Sequence, residues 1–179
     1  IESMAATAVQ GRGVLIDLHH HLGVKRSRVS MGLLREIMQT DGVTVETGDM
    51  LCLHTGFSQL ILDMKKSPDP AVLHNSCAVL DGGDPELQAW ITETGVAVIA
   101  ADNYAVEDFP ADLPNPCCSL LPLHHHCIFR LGVHLGELWY LTPLAKRLRE
   151  LKRSRFLLTA PPLRLPGAVG SPVTPVATV

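Results

Sequence analysis

Apolar residues occur in this chain as short continuous runs, separated by stretches in which they recur at helical spacing. The short runs are rich in Val, Leu and Ile and are bounded by glycine or charged residues, a pattern that predicts buried strands. The predicted strands cover residues 13–18, 50–54, 96–101 and 156–160, and residues 133–138 add an extended segment.

Between these runs, the apolar positions recur every three to four residues, which predicts amphipathic helices. Ser30 is suited to cap one helix, Pro85 occupies the first position of another, where its missing N–H costs little, and Gly132 ends a third. Residues 58–83 are predicted to be less regular. The predicted helices cover residues 31–40, 85–94, 120–131 and 142–153.

Strands that alternate with helices favour an α/β fold, here a mixed β-sheet with flanking helices. The chain has 179 residues, of which 46% are hydrophobic, and this is enough for a single domain with a buried core over residues 1–179. Because the chain begins with Ile in a stretch typical of a helix or linker, we expect the domain to be truncated at its N-terminus.

Charge and composition argue against several classes of partner. The formal net charge is −3, and basic residues concentrate only at residues 146–155, so nucleic-acid binding is not expected. No apolar run reaches the roughly 18–20 residues that cross a bilayer, so no membrane partner is expected. Five cysteines, an odd number without a C-x-x-C pair, predict reduced thiols and a cytoplasmic protein. They are Cys52, Cys77, Cys117, Cys118 and Cys127.

The segment LPLHHHC is the strongest candidate for chemistry. Three consecutive histidines begin at His124, and Glu137 follows 13 positions later, which supplies the imidazole and carboxylate ligands that hydrolytic metals prefer. A histidine near a helix N-terminus and an acid on the next strand can converge after a turn at Gly132. The alternative is that the histidines lie partly on the surface and that Glu137 pairs with Arg130.

Other candidate residues follow predicted strands, where α/β proteins often have their sites. Asp102 is expected to take part in catalysis before Glu107, and a helix-capping or solvated role is the alternative for both. His54 and Thr55 are expected to line the pocket, with a plain turn as the alternative. The histidines at 19–21 are expected to be solvated or hydrogen-bonded at a strand end.

Four stretches of the chain contain recognisable motifs, and they follow one another in the sequence, beginning at residues 11, 48, 89 and 161. They read GRGVLIDL, GDMLCLHTGF, AWITETGVAVIAADNYAVEDFP and PPLRLPGAVGSPVTPVA. The second resembles a GD-x-L-L-x-x-T-G strand and turn, the third a G-x-D-x-x-x-x-E loop, and the last a PL-x-x-x-G-x-x-G-S-P-x-x-P terminus. Together they resemble the metal-dependent cyclase family, whose members include kynurenine formamidase and isatin hydrolase.

The resemblance implies a cyclase-like fold of the swivelling β/β/α type and a hydrolase that uses zinc or manganese. In that family the metal activates water to attack an amide, lactone or related acyl carbon. The implied substrates are small molecules such as aryl formamides and cyclic amides, with tryptophan breakdown to kynurenine as one pathway. The resemblance also implies that His124 or His125 completes the metal site with Glu137, and that Ser171 is a hydrogen-bonding residue nearby.

The family's defining motif, H-x-G-T-H-x-D, does not occur in the chain. We therefore expect the main metal ligands to lie outside this chain, and we expect the truncated sheet to associate into a homo-oligomer through an open edge. One alternative is a catalytically incompetent fragment or paralogue with a structural or binding role. Another is an interaction module that presents the helix at 142–153.

Overall fold

A computed structural model describes residues 1–110 and 119–179 of the chain, so Cys117 and Cys118 lie outside the described residues. The strands are β1 (Gln10–Asp17), β2 (Ser27–Val29), β3 (Met50–His54), β4 (Ala78–Leu80), β5 (Val98–Ala101), β6 (His134–Gly136), β7 (Arg155–Thr159) and β8 (Val176–Thr178).

The main sheet has six strands in the order β6-β5-β3-β1-β7-β8, and β2 and β4 form a separate parallel pair. β1, β3, β5 and β6 run parallel to one another, whereas β7 is antiparallel to β1 and β8 is antiparallel to β7. The prediction of an α/β fold with a mixed sheet is therefore confirmed.

Helices cover both faces of the sheet, and the four helices that the sequence predicts begin and end close to the predicted residues. The Ser30 hydroxyl accepts a hydrogen bond from the Leu33 N–H, and Gly132 ends its helix at a φ of 71°. The helices are α1 (Glu2–Thr7), α2 (Leu18–Leu22), α3 (Met31–Asp41), α4 (Phe57–Asp63), α5 (Pro70–His74), α6 (Pro85–Thr94), α7 (an α-helix over Pro122–His124 that continues as a π-helix over His125–Leu131) and α8 (Thr142–Glu150).

Residues 58–83, which the sequence predicts to be less regular, hold most of α4 and all of α5 and β4, three short elements that the sequence did not predict. A five-residue helix and a three-residue strand are too short to display a hydrophobic period. The start of α5 is nevertheless encoded locally, since the Asp69 carboxylate accepts hydrogen bonds from the N–H groups of Ala71 and Val72.

Two apolar clusters lie on opposite faces of the sheet because successive side chains of a strand point to opposite sides. Val14 and Ile16 of β1 pack in the cluster that includes Leu34 of α3. Leu15, between them, packs in the other cluster with Leu148 of α8. None of the helices in the described part of the chain has the length and apolar character that a membrane span requires.

Candidate active site

The site begins at the carboxyl end of β5, where the chain leaves the sheet in a strained turn. Ala105 and Val106 have φ angles of 66° and 60°, which are unfavourable for residues with a Cβ and above all for a β-branched one. The Glu107 N–H donates to the Ala105 carbonyl at 2.5 Å and closes the turn. Glu107 follows directly and is only 1% exposed.

The buried carboxylate of Glu107 caps the N-terminus of α7. Its Oε2 accepts a hydrogen bond from the Leu123 N–H at 2.8 Å, and its Oε1 accepts one from the His124 N–H at 2.9 Å. The first N–H groups of a helix have no partner within the helix, and a negative charge there is favourable. Because the N-cap residue Leu121 offers no side-chain acceptor, Glu107 supplies it from a separate segment.

Gly82 provides the space that the Glu107 carboxylate occupies. A Cβ at position 82 would lie 1.8 Å from Oε2 of Glu107 and 3.1 Å from Cγ of Pro122. Both distances are shorter than ordinary van der Waals contact, so a side chain at position 82 and the observed Glu107 carboxylate exclude one another.

His124 joins Glu107 to Glu137 through its two ring nitrogens. Nδ1 lies 2.9 Å from Oε1 of Glu107, and Nε2 lies 3.1 Å from Oε1 of Glu137. His124 and Glu137, which the sequence suggested as a pair, are therefore in contact after the turn at Gly132. No ion pair joins Glu137 to Arg130 in the described parts of the chain.

The two carboxylates favour a protonated His124 ring. Its hydrogen bonds with Glu107 and then Glu137 raise the pKa of His124 to about 9, although partial burial opposes the rise. The same contact lowers the pKa of Glu137 below its usual value, helped by a hydrogen bond from the backbone of Ala105. The three side chains therefore form a carboxylate–imidazolium–carboxylate group.

The neighbouring histidines of the HHH segment point elsewhere. His125 is exposed and stacks on Phe129 with ring centroids 5.3 Å apart. The ring of His126 contacts the Thr92 hydroxyl and the Gln88 carbonyl of α6, each at 2.9 Å. The sequence left open whether His124 or His125 faces the site, and the structure places His124 there.

His124, Glu137 and Ser171 line one cavity of about 760 Å³. The Ser171 hydroxyl accepts a hydrogen bond from the Leu163 N–H at 2.9 Å and donates one to the Pro172 carbonyl at 2.7 Å, so it also holds the C-terminal segment in place. Most of the remaining wall is apolar. It includes Met50, Val98, Leu135, Trp139, Val169 and Val173.

Asp102 lies at the end of β5 but does not line this cavity. It is fully buried, and its Oδ1 accepts hydrogen bonds from the N–H and hydroxyl of Thr55 at 2.6 and 2.7 Å. Its Oδ2 accepts one from the Gly56 N–H at 2.8 Å. The carboxylate thus holds the turn between β3 and α4, the role that the sequence named as the alternative to catalysis.

Asp102→Asn should therefore lower stability without acting on the cavity. The amide group places N–H donors where the carboxylate now accepts, and a buried donor without an acceptor costs about 1–3 kcal/mol. We expect a loss in this range in chemical denaturation, with the affinity of the cavity for ligands unchanged in the folded fraction. A stable Asp102→Asn protein that has lost a cavity function would instead assign this residue to catalysis.

His54 and Thr55 also lie outside the cavity wall, whose lining residues do not include them. Nδ1 of His54 lies 2.8 Å from Oδ1 of Asp17, and Nε2 lies 3.2 Å from the hydroxyl of Thr142. Burial alone would raise the pKa of Asp17, but the bond with His54 and the nearby Arg149 lower it to about 2. His54 therefore links β1, β3 and α8.

Sequence reasoning noted Glu107 but did not connect it with His124. The two residues are 17 positions apart and no spacing rule relates them. One signal was available: Pro122 marks a helix start, and neither Leu121 nor Leu120 can cap it. A helix without a local cap needs an acceptor from elsewhere, and Glu107 is a nearby acid in a loop.

The donor groups of this site fit part of a metal centre. Nε2 of His124 and a carboxylate oxygen of Glu137 are adjacent, and Nδ1 of His124 faces a carboxylate, as is usual for histidines that bind metals. Within residues 1–110 and 119–179, no group of three or more His, Cys, Asp or Glu side chains is arranged to hold a metal ion.

Fold and site together define an α/β protein whose carboxylate–histidine–carboxylate group faces an apolar cavity at the edge of a mixed sheet. The chain belongs to the cyclase family, whose family model matches residues 1–108 of the 179. Comparison with curated protein sequences found no significant match.

Solved structures share the fold. A structure described as a novel cyclase is 31% identical, with a TM-score of 0.78 over 97% of this chain and 54% of its own. Isatin hydrolase A from Ralstonia solanacearum is 17% identical, with a TM-score of 0.66 over 98% of this chain and 62% of its own. A potential metal-dependent hydrolase with cyclase activity is 15% identical, with a TM-score of 0.60 over 99% and 69%. This chain thus spans about half the length of the first.

Proposed function

We propose that this protein is a metal-dependent hydrolase that cleaves the acyl C–N or C–O bond of an aryl formamide, cyclic amide or lactone. The observation that carries the proposal is the position of His124, between two carboxylates at the wall of an apolar cavity. Membership of the cyclase family and the shared fold with isatin hydrolases support it. A kynurenine formamidase-like role in tryptophan breakdown is the form of this activity that we favour.

The cavity suits a small aromatic substrate. Trp139 and the aliphatic side chains around it offer an apolar wall to a ring, while His124 and Glu137 offer polar contacts at one place on that wall. Pockets of this size with few polar groups are typical of small-molecule sites. Apolar walls also exclude water, which strengthens the electrostatic effect of the charged pair on a bound acyl group.

His124 and Glu137 are the residues of this chain that would hold the metal, zinc or manganese, with its main ligands supplied from outside the chain. When bound, such a metal lowers the pKa of a water molecule and polarises the acyl carbonyl. Glu107 keeps the Nδ1 side of His124 occupied, so that Nε2 is the ring nitrogen that faces Glu137 and the cavity. The proton shared between Nε2 and Glu137 has to leave before Nε2 can act as a ligand.

A second candidate function is a binding protein without catalysis. It is favoured by one observation, the lack of three grouped metal-binding side chains in the described residues. In that case the cavity would still bind small aromatic molecules, and the charged pair would only orient them.

Metal content and hydrolysis measured on the same preparation separate the two candidates. We expect zinc or manganese near one equivalent by elemental analysis, and hydrolysis of N-formylkynurenine that a chelator removes and added metal restores. A chain without metal that binds aromatic amides in calorimetry but hydrolyses none of them would support the binding protein and exclude the hydrolase for this chain.

We further propose a homo-oligomer in the cytoplasm. β6 and β8 are the outer strands of the six-stranded sheet, and open edges favour association with another copy. Cys52, Cys77 and Cys127 are free, buried thiols, as a reducing compartment allows. Sedimentation equilibrium at micromolar concentration should give a mass above 19.4 kDa, and a monomer there would contradict the proposed association.

A further inference from the structure

We infer that Glu107 is the positioning residue of this site, because it fixes the ring of His124 so that Nε2 faces Glu137 and the cavity. The catalytic meaning of this inference rests on the proposed function. The contacts that carry it do not, since they concern only the orientation of one side chain.

One buried oxygen of Glu107 contacts both the backbone and the ring of His124. Oε1 of Glu107 accepts the backbone N–H of His124 at 2.9 Å and lies 2.9 Å from Nδ1 of the ring. With the backbone and the ring tied to the same atom, rotation of the ring would break the Nδ1 contact. The partner of one ring nitrogen determines which nitrogen is left to act, so this contact assigns that role to Nε2.

The turn that leads to Glu107 also lies beside the other member of the pair. Ala105, two residues before Glu107, has its backbone close enough to the Glu137 carboxylate to help lower the pKa of that group. Ala105 and Val106 adopt left-handed φ angles in this turn. Strain of this kind persists where the surrounding structure requires it, and here the strained turn brings the Glu107 carboxylate to the backbone and ring of His124.

A helix cap alone does not account for these contacts. Capping α7 needs only the bonds from the N–H groups of Leu123 and His124, whereas the Nδ1 contact adds nothing to the helix. A purely structural Glu107 would affect stability alone. A positioning Glu107 also determines the hydrogen bond of the His124 ring, which can be observed separately.

The test is NMR spectroscopy of the full chain with ¹⁵N-labelled histidine, with the His124 ring signals assigned by their loss in His124→Gln. We expect a ring Nδ1–H signal that exchanges slowly with water. Glu107→Ala, which removes both acceptor oxygens, should lose this signal while the backbone amide spectrum remains that of a folded protein. Glu36→Ala, which removes an exposed acid on α3, is the matched control and should leave the signal unchanged.

Glu137→Gln provides the test if Glu107→Ala does not fold, because Glu137 is partly exposed and does not cap a helix. Positioning by Glu107 requires that the Nδ1–H signal persists in Glu137→Gln while the Nε2 signal changes. A folded Glu107→Ala protein that keeps the Nδ1–H signal would overturn the inference, and so would loss of that signal in Glu137→Gln.

These outcomes are independent of hydrolysis. If the protein hydrolyses none of the proposed substrates but the Nδ1–H signal behaves as expected, the proposed function fails and the positioning role stands. If the protein is an active hydrolase and Glu107→Ala keeps both its ring signal and its rate, the positioning role fails and the proposed function stands.

Discussion

Gly82→Ala should destabilise the protein by about 2–6 kcal/mol, a large share of the stability of a small domain. The new Cβ would lie 1.8 Å from Oε2 and 2.9 Å from Cδ of Glu107. That carboxylate is buried, so it can avoid the methyl group only by leaving its place. The N–H groups of Leu123 and His124 then lose their acceptor, and each buried donor without a partner costs about 1–3 kcal/mol.

Chemical denaturation measures this loss, and two comparisons isolate its cause. Gly32→Ala in α3 meets only Ser30 Oγ at 3.8 Å and should be neutral or stabilising, because alanine is favoured in helices. In a Glu107→Ala background the clash is absent, so Gly82→Ala should cost much less there. An equal cost in both backgrounds, or a cost below about 0.5 kcal/mol in the native sequence, would show that Gly82 does not hold the Glu107 carboxylate.

The parts of the fold that could be predicted are those whose cause lies within a few neighbouring residues. β3 occupies the predicted residues 50–54 because a strand buried on both faces is one continuous apolar run. α6 begins at Pro85 and ends at Gly95 because both signals are local. β8 is stable only because it pairs with β7, and three residues of a Pro-rich tail carry no sign of that partner.

The candidate site divides in the same way. His124 and Glu137 could be paired from the sequence because one helix, one glycine turn and one strand separate them. Asp102 was expected in the site because it follows a strand, yet its carboxylate is used by the turn at Thr55. Glu107 contacts His124 through a turn with two left-handed residues that are not glycine, and no residue preference predicts such a turn.

His124→Gln should lower kcat/KM for the proposed hydrolysis by roughly 10²–10⁴, the range expected when a positioned proton-transfer group is removed. Glutamine is similar in length and polar, but it cannot take up a proton or present a ring nitrogen to the cavity. Because Glu107 and Glu137 hold the pKa of His124 at about 9, the ring stays protonated at neutral pH until its Nε2 proton is displaced. The substitution thus removes both the ring proton and the Nε2 atom that would bind the metal, and the apolar residues of the cavity wall can replace neither.

The stability of His124→Gln as a function of pH verifies the cause. The pKa of His124 is raised from 6.5 to about 9 in the folded state, so protonation of the ring stabilises the fold. This stabilisation is fully present below pH 6.5 and is lost as the pH rises through 9. Wild-type protein should lose this contribution between those values, whereas His124→Gln should not. His20→Gln, an exposed histidine on α2, should match wild type in both rate and pH dependence. A His124→Gln protein with wild-type hydrolysis would remove His124 from the mechanism, because within the described residues no other side chain forms an ion pair with Glu107 or Glu137.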